Sequence, residues 1–195
     1  MRNYTRIDAW LDSLLDDTRP QPPDEGHTKM AHDAIEAGIP HLKYPCTSVL
    51  DVGCGASGFV APMFAAHGIA DYAGVSVRED AATGTLIDSR IHDADFTFLD
   101  IFQDNSFDIV FARHSLEHSP MPILSLFEWA RITRNYIWLI LPNPDYWLWT
   151  GQNHYSVMLP EQAIFLLDRV GMTLVWNAEN MYEFWIIAQK KEKIG

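Results

Sequence analysis

Cysteine is scarce in this 195-residue chain: Cys46 and Cys54 are the only two, too few for a disulfide framework and compatible with a reducing compartment. Long apolar runs are missing as well. The stretch from Tyr136 to Pro142 falls far short of the roughly 20 residues a helix needs to cross a bilayer. Positive charge is in short supply: 14 Lys and Arg against 26 Asp and Glu give −12 with neutral histidine. That balance argues against broad attraction to nucleic acid or an anionic membrane. Between Met1 and Asp17, acids at Asp8, Asp12, Asp16 and Asp17 stand where a signal peptide needs uninterrupted apolar sequence. No internal repeat, heptad or low-complexity tract is found. The expectation is a cytoplasmic protein with no membrane partner, with nucleic acid disfavoured, and with room for a protein partner or homodimer.

What is present is an alternation of strand and helix patterns. Ile7, Trp10, Leu11, Leu14 and Leu15 keep the spacing of an amphipathic helix, which the prolines at 20, 22 and 23 then end. A second helix is predicted over His27 to Gly38, so that residues 1–44 form a helical segment of the same domain that occupies 45–195. Ser48 to Val52 reads as a buried strand, followed by the glycine loop Gly53-Cys54-Gly55-Ala56-Ser57-Gly58 and a helix from Phe59 to His67. Further strands are predicted at Tyr72–Val77, between Arg90 and Leu99, at Phe107–Ala112 and at Tyr136–Leu141; Phe96–Leu99 looks the more strand-like part of the third. Helices are predicted over Glu79–Asp88, Pro122–Thr133 and Glu161–Val170, the last with Gly171 as its cap. Thr173–Trp176 and Glu183–Gln189 close the chain as an antiparallel pair. Disorder is expected only at Pro20–Glu25 and in the run Lys190–Lys193, which reads as a solvated tail. The pattern implies an α/β protein of three layers, a doubly wound sheet, mostly parallel with an antiparallel last strand.

In such a sheet, ligands bind outside the carboxyl ends of the strands near the switch in strand order. The loop at Gly53, Gly55 and Gly58 follows the first strand, where its backbone can turn tightly and approach a ligand. A glycine loop of this kind suits a dinucleotide or a methyl-donor nucleoside. Asp51 favours the second, because a carboxylate there attracts an amino group and repels a pyrophosphate.

With these residues in view, the chain resembles the class I S-adenosylmethionine-dependent methyltransferases, type 11-like. Val49-Leu50-Asp51-Val52-Gly53-Cys54-Gly55 matches the first motif, Asp104-Asn105-Ser106-Phe107-Asp108-Ile109-Val110 leads into the fourth strand, and Leu116-Glu117-His118 follows it. The resemblance implies a Rossmann-like fold and S-adenosyl-L-methionine as cofactor, held at its methionine end by Asp51, Gly53, Cys54 and Gly55, with Arg113 close by. It also implies a ribose acid after the second strand. Here Ser76 and Val77 stand instead, and serine offers no charged bidentate acceptor; Glu79 or Asp80 could reach in from the next turn. For adenine, Asp95-Phe96 is favoured over Asp100-Ile101.

Methyl transfer asks the protein for positioning, removal of water and in some cases a base. His114 is a candidate base and Glu117 a candidate orienting group, with loop capping as the plainer role for His114, Glu117 and His118 alike. Trp147, His154 and Tyr155, with Asn153 beside them, fall in the loop after the fifth strand, where aromatic and polar groups either wall a substrate or pack beneath the loop. Two rivals read differently. His114-x-x-Glu117-His118 has the residue pattern of an inverted zinc protease, but that chemistry needs a sustained helix, and Pro120 and Pro122 leave hardly two turns. No metal is therefore expected. A non-catalytic S-adenosylmethionine-binding module of the same fold is the second alternative, kept open by Ser76.

Overall fold

The computed structural model describes residues 25–55, 57–76, 90–147 and 154–192, without the side chain of Trp147. In chain order the elements are α1 (Glu25–Gly38), a 3-10 turn (Ile39–His41), β1 (Ser48–Val52), α2 (Ala61–Ala66), β2 (Asp71–Ser76), β3 (Ile91–Asp93), β4 (Phe107–Arg113) and a second 3-10 turn (Leu116–His118). They are followed by α3 (Pro122–Ile132), β5 (Thr133–Pro142), α4 (Pro144–Trp147), α5 (Pro160–Arg169), β6 (Met172–Glu179) and β7 (Glu183–Lys190). The strands form one seven-stranded sheet in the order β3-β2-β1-β4-β5-β7-β6. β7 is antiparallel to both of its neighbours, β5 and β6, while the pairings among β1 to β5 are parallel. This is the expected mostly parallel sheet, with the last strand inserted one place in from the edge.

The sequence runs SVLDV, FDIVFA and YIWLILP are buried along their length because helices cover both faces of the sheet. Successive side chains go to opposite faces. Leu50, Val52, Val110, Ala112, Ile137 and Leu139 meet α3 and α5 through Leu126, Trp129, Ala163 and Leu167. Val49, Ile109, Phe111, Tyr136 and Trp138 meet α1 and α2 through Ala34, Ile35, Ala61 and Phe64. The aromatic rings of Phe64, Phe111 and Trp138 pack edge to face, with centroids 5.1–5.9 Å apart.

Asp108 fixes the end of the sheet away from the strand tips. Its carboxylate accepts the Thr47 and Ser48 amides at 2.8 and 3.2 Å and pairs with Arg134 of β5. Burial opposes its ionisation, but these bonds outweigh burial and hold the carboxyl below the usual range. β1, β4 and β5 are thus tied together at their amino ends, which sets the register of the tips where the loops emerge.

Several expectations need correcting. The third strand is Ile91–Asp93 rather than Phe96–Leu99: Phe96 and Leu99 are buried in the core, and the Trp129 indole donates to the Phe96 carbonyl at 2.8 Å. α2 begins two residues after Phe59, and β6 is longer than Thr173–Trp176, with a bulge between Leu174 and Trp176. Lys190 is no solvated tail. It belongs to β7, and its ammonium donates at 2.7 Å to Asn105 Oδ1 and to the Ala130 and Thr133 carbonyls at the end of α3. Lys191 pairs with Asp168 at 2.6 Å, and Glu25 already belongs to α1. Gly171 follows α5 at φ +86°, the left-handed position expected of its cap. The predicted helices over 7–15 and 79–88 lie outside the described residues.

Candidate functional site

β1 and β4 are neighbours at the centre of the sheet, with β2 and β3 to one side and β5 to β7 to the other. The connections from their carboxyl ends therefore part in opposite directions and leave a crevice between them. On one side of it is the loop after β1. Gly53 and Gly55 hold φ of +77° and +64°, conformations that cost an L-residue with a side chain about 1–2 kcal/mol. The Gly53 and Cys54 amides both donate to the Val75 carbonyl of β2, at 2.8 and 3.0 Å. A Cβ at Gly53 would lie 2.0 Å from Ser115 Oγ, and that hydroxyl donates to the Val52 carbonyl at 2.8 Å. The loops after β1 and β4 thus brace each other. Cys54 fills the space above Gly74, where a Cβ would approach its sulfur to 2.6 Å, and its thiol donates to the Gly55 carbonyl.

Asp51 lies beneath this loop, 4% exposed, and accepts the Tyr72 hydroxyl at 2.8 Å. Burial pushes its carboxyl up to about 7, against the opposing pull of Tyr72 and Arg113. The same burial and the adjacent Asp51 push the Tyr72 phenol far above its ordinary value.

Across the crevice the chain leaves β4 at His114, whose φ is +50° and whose amide donates to the Ile140 carbonyl at 2.9 Å. Its imidazole Nε2 is 2.9 Å from Glu183 Oε2, and the Arg113 guanidinium donates to the same oxygen at 3.1 Å. Glu183 opens β7 and is fully buried; its other oxygen accepts the Trp185 indole at 2.9 Å. Burial opposes ionisation here, but His114 and Arg113 outweigh it and hold the Glu183 carboxyl below the usual range. Burial lowers the His114 pKa, so the ring is neutral near pH 7. With a carboxylate accepting from Nε2, that nitrogen carries the proton and Nδ1 is left basic. Nδ1 is 3.9 Å from Glu117 Oε1.

Glu117 is 1% exposed and neither of its carboxylate oxygens has a hydrogen-bond partner. Burial pushes its carboxyl up to about 8. Its backbone is tied elsewhere: the Ser156 amide donates to the Glu117 carbonyl at 2.9 Å. That bond holds residues 154–156 against the turn, and His154 packs edge-on against His118 with centroids 4.8 Å apart. Tyr155 is exposed beside it.

At the ends of β2 and β3, Ser76 is buried and Asp95 half-buried, two residues beyond β3, with the Thr97 amide donating to Asp95 Oδ1 at 2.8 Å. The short β3 leaves Asp100 on the surface and further along the chain. The Phe96 ring belongs to the core against Trp129, and its carbonyl accepts the Trp129 indole. Arg113 is committed to Glu183. Val77, Glu79, Asp80 and Asn153 lie outside the described residues, as does the Trp147 side chain. The inverted zinc-protease geometry is not formed: His114 ends a strand and faces Glu183, and Leu116–His118 is a single 3-10 turn. Sequence reasoning missed Glu183. The available signal was a carboxylate opening an otherwise apolar run, Glu183-Phe184-Trp185-Ile186-Ile187.

Residues 50–141 match a family model described as a methyltransferase domain. No curated protein matches the sequence. Among solved structures, the fold is similar to a chain of the Haloferax volcanii complex between the Trm112 methyltransferase activator and a methyltransferase (TM-score 0.70, 13% identity, 97% of each chain covered). It is also similar to magnesium protoporphyrin IX methyltransferase from Synechocystis with bound SAH (0.62, 15% identity, 97% of this chain and 96% of that one). The [4+2]-cyclase SpnF shares the fold too (0.64, 16% identity, 96% and 93% covered). At these identities the likeness is one of fold.

Proposed function

We propose that this chain is a class I S-adenosylmethionine-dependent methyltransferase that binds S-adenosyl-L-methionine at the carboxyl ends of β1, β2 and β4 and methylates a small-molecule acceptor. The observation that carries the reading is the glycine loop. Left-handed Gly53 and Gly55 keep side chains off the crevice while Asp51 waits beneath it with a buried carboxylate. The residues present fit the group: backbone amides and carbonyls for the carboxylate and amino ends, Asp51 as counter-charge to the amine, and Asp95 for the adenine. Ser76 offers a single hydroxyl where the family resemblance implies an acid.

When bound, S-adenosylmethionine supplies a methyl carbon on a sulfonium, which a lone pair of the acceptor displaces in line as the carbon–sulfur bond breaks. This chain's task is to hold the acceptor, exclude water and take up the proton the acceptor gives up. His114 Nδ1 is the proton acceptor of this reading. The imidazolium that forms keeps its Nε2–H on Glu183, whose buried charge stabilises it. Glu117 orients a polar group of the acceptor, and His154 and Tyr155 border the mouth. The net charge of −12 suits a small acceptor better than a nucleic acid.

A cytoplasmic setting suits Cys46 and Cys54, which are not joined in a disulfide. No helix among the described residues is long and apolar enough to cross a membrane. A protein partner or homodimer is compatible with the reading, as the partnered neighbour illustrates. Ser76 favours a second reading, a cofactor-binding module without turnover. Denaturing the purified full-length chain and identifying the released nucleoside by mass spectrometry, followed by methyl-transfer assays on a metabolite panel, separates the two. Retained nucleoside with transfer supports the enzyme, and retained nucleoside with no transfer supports the module. The absence of both nucleoside and binding refutes both.

A further inference from the structure

Glu117 poses a problem that cofactor binding leaves unsolved. A buried polar atom without a partner costs about 1–3 kcal/mol, more if it is charged, and both oxygens of this carboxylate are in that position. A cation beside it would remove the cost. The neighbours are suited to hold one: a single ligand atom from each of Glu117, His118 and His154 lies within 4.8 Å of the others. Ligands about 2.1 Å from a tetrahedral ion stand about 3.4 Å apart, so the three groups need close by little more than about 1 Å.

The grouping also has a scaffold. Glu117 and His118 come from the turn after β4, and His154 from the segment after α4. The two segments are bound together by the Ser156 amide on the Glu117 carbonyl and by the Ser156 hydroxyl on the Ser119 carbonyl. Glu117 forms a buried floor, and the two half-buried imidazoles form a mouth open to solvent. One carboxylate and two imidazoles are a ligand set for a borderline first-row ion, with a coordination position left open. It lacks the all-oxygen shell that magnesium and calcium prefer.

We propose that Glu117, His118 and His154 form a binding site for one divalent first-row transition-metal ion of the zinc or manganese class. The site is separate from the glycine loop. Its role rests on the methyl-transfer reading: the open position takes an oxygen of the acceptor, the ion lowers the pKa of that O–H, and His114 Nδ1, 3.9 Å from Glu117 Oε1, receives the proton. An oxygen acceptor able to ligate a metal is the substrate class this implies.

The test is calorimetric titration of the tag-free, chelator-stripped full chain with zinc and, separately, manganese. One site per chain is expected, weakened at least tenfold by His154→Ala and by His118→Gln, with the metal-free melting temperature of each variant within a few degrees of the parent. His32, Glu36 and His67 form an exposed pairing elsewhere, with His67 and His32 nitrogens 2.7 and 3.7 Å from Glu36 Oε1, and supply the control. His32→Ala should leave the isotherm unchanged. Absence of binding by the parent overturns the proposal. So does binding that survives both His154→Ala and His118→Gln, or that is lost with His32→Ala. Parallel titration of the stripped chain with S-adenosylhomocysteine separates the two claims. Nucleoside binding without metal binding removes this site and leaves the methyltransferase reading standing; metal binding without nucleoside binding does the reverse.

Discussion

Asp51→Asn should stabilise the fold while weakening the cofactor. The carboxyl is 4% exposed and pushed from 3.8 up to about 7, mainly by burial. In the unfolded chain the group ionises near its ordinary value. Between about pH 4 and 7 the folded chain therefore binds a proton that the unfolded chain has lost, and stability falls as pH rises through that window. At about 1.4 kcal/mol per pH unit of displacement, ionised Asp51 costs the free fold about 4 kcal/mol above pH 7, as an upper figure. Asparagine has nearly the same shape, keeps an oxygen for the Tyr72 hydroxyl, and carries no charge. Its advantage over aspartate should widen by about 2–3 kcal/mol between pH 5 and pH 8. For a chain of this length that is about 4–12 °C in melting temperature. Losing the charge-assisted bond to the ligand's amino group should cost about 1.5–3 kcal/mol, or about 10- to 150-fold in Kd. Thermal melts at the two pH values and titration with S-adenosylmethionine at pH 8 measure both effects. An advantage that does not change with pH, or an unchanged Kd in the folded variant, refutes the reasoning.

Gly53→Ala should lower stability by about 2–3 kcal/mol through its left-handed φ and its clash with Ser115; adding Ser115→Gly should recover only the clash, as read by denaturant unfolding. Glu183→Gln removes the charge that neutralises Arg113 and should cost about 3 kcal/mol; a loss under about 1 kcal/mol by the same measurement contradicts a charged pair there. His114→Ala should reduce kcat at least tenfold with cofactor Kd within about threefold; an unchanged rate makes His114 structural.

The central strands were legible because burial on both faces demands unbroken apolar runs, and the glycine loop because its turn demands left-handed residues. The third strand was not. Phe96 and Leu99 are apolar because they pack under α3, and burial beneath a helix leaves the same composition as burial in a strand. Asp95 turns the chain between them by accepting the Thr97 amide. Half of the catalytic candidate was also hidden. His114 stands in a recognisable motif, whereas its partner Glu183 is 69 residues away, and only the insertion of β7 beside β5 brings them together. Lys190 misled for the same reason: a charge run near the end of the chain looks solvated until the sheet places its ammonium on the Ala130 and Thr133 carbonyls, 60 and 57 residues back, where α3 passes into β5. Local chemistry was readable, and pairings made by topology were not.

Which nucleoside the loop after β1 takes separates a methyl-donor site from a dinucleotide site. Equilibrium titration of the full-length chain with S-adenosylhomocysteine and, in a matched experiment, with NAD measures this. Saturable one-to-one binding of S-adenosylhomocysteine and none of NAD is expected; binding of NAD, or no response to S-adenosylhomocysteine, would overturn the methyl-donor reading.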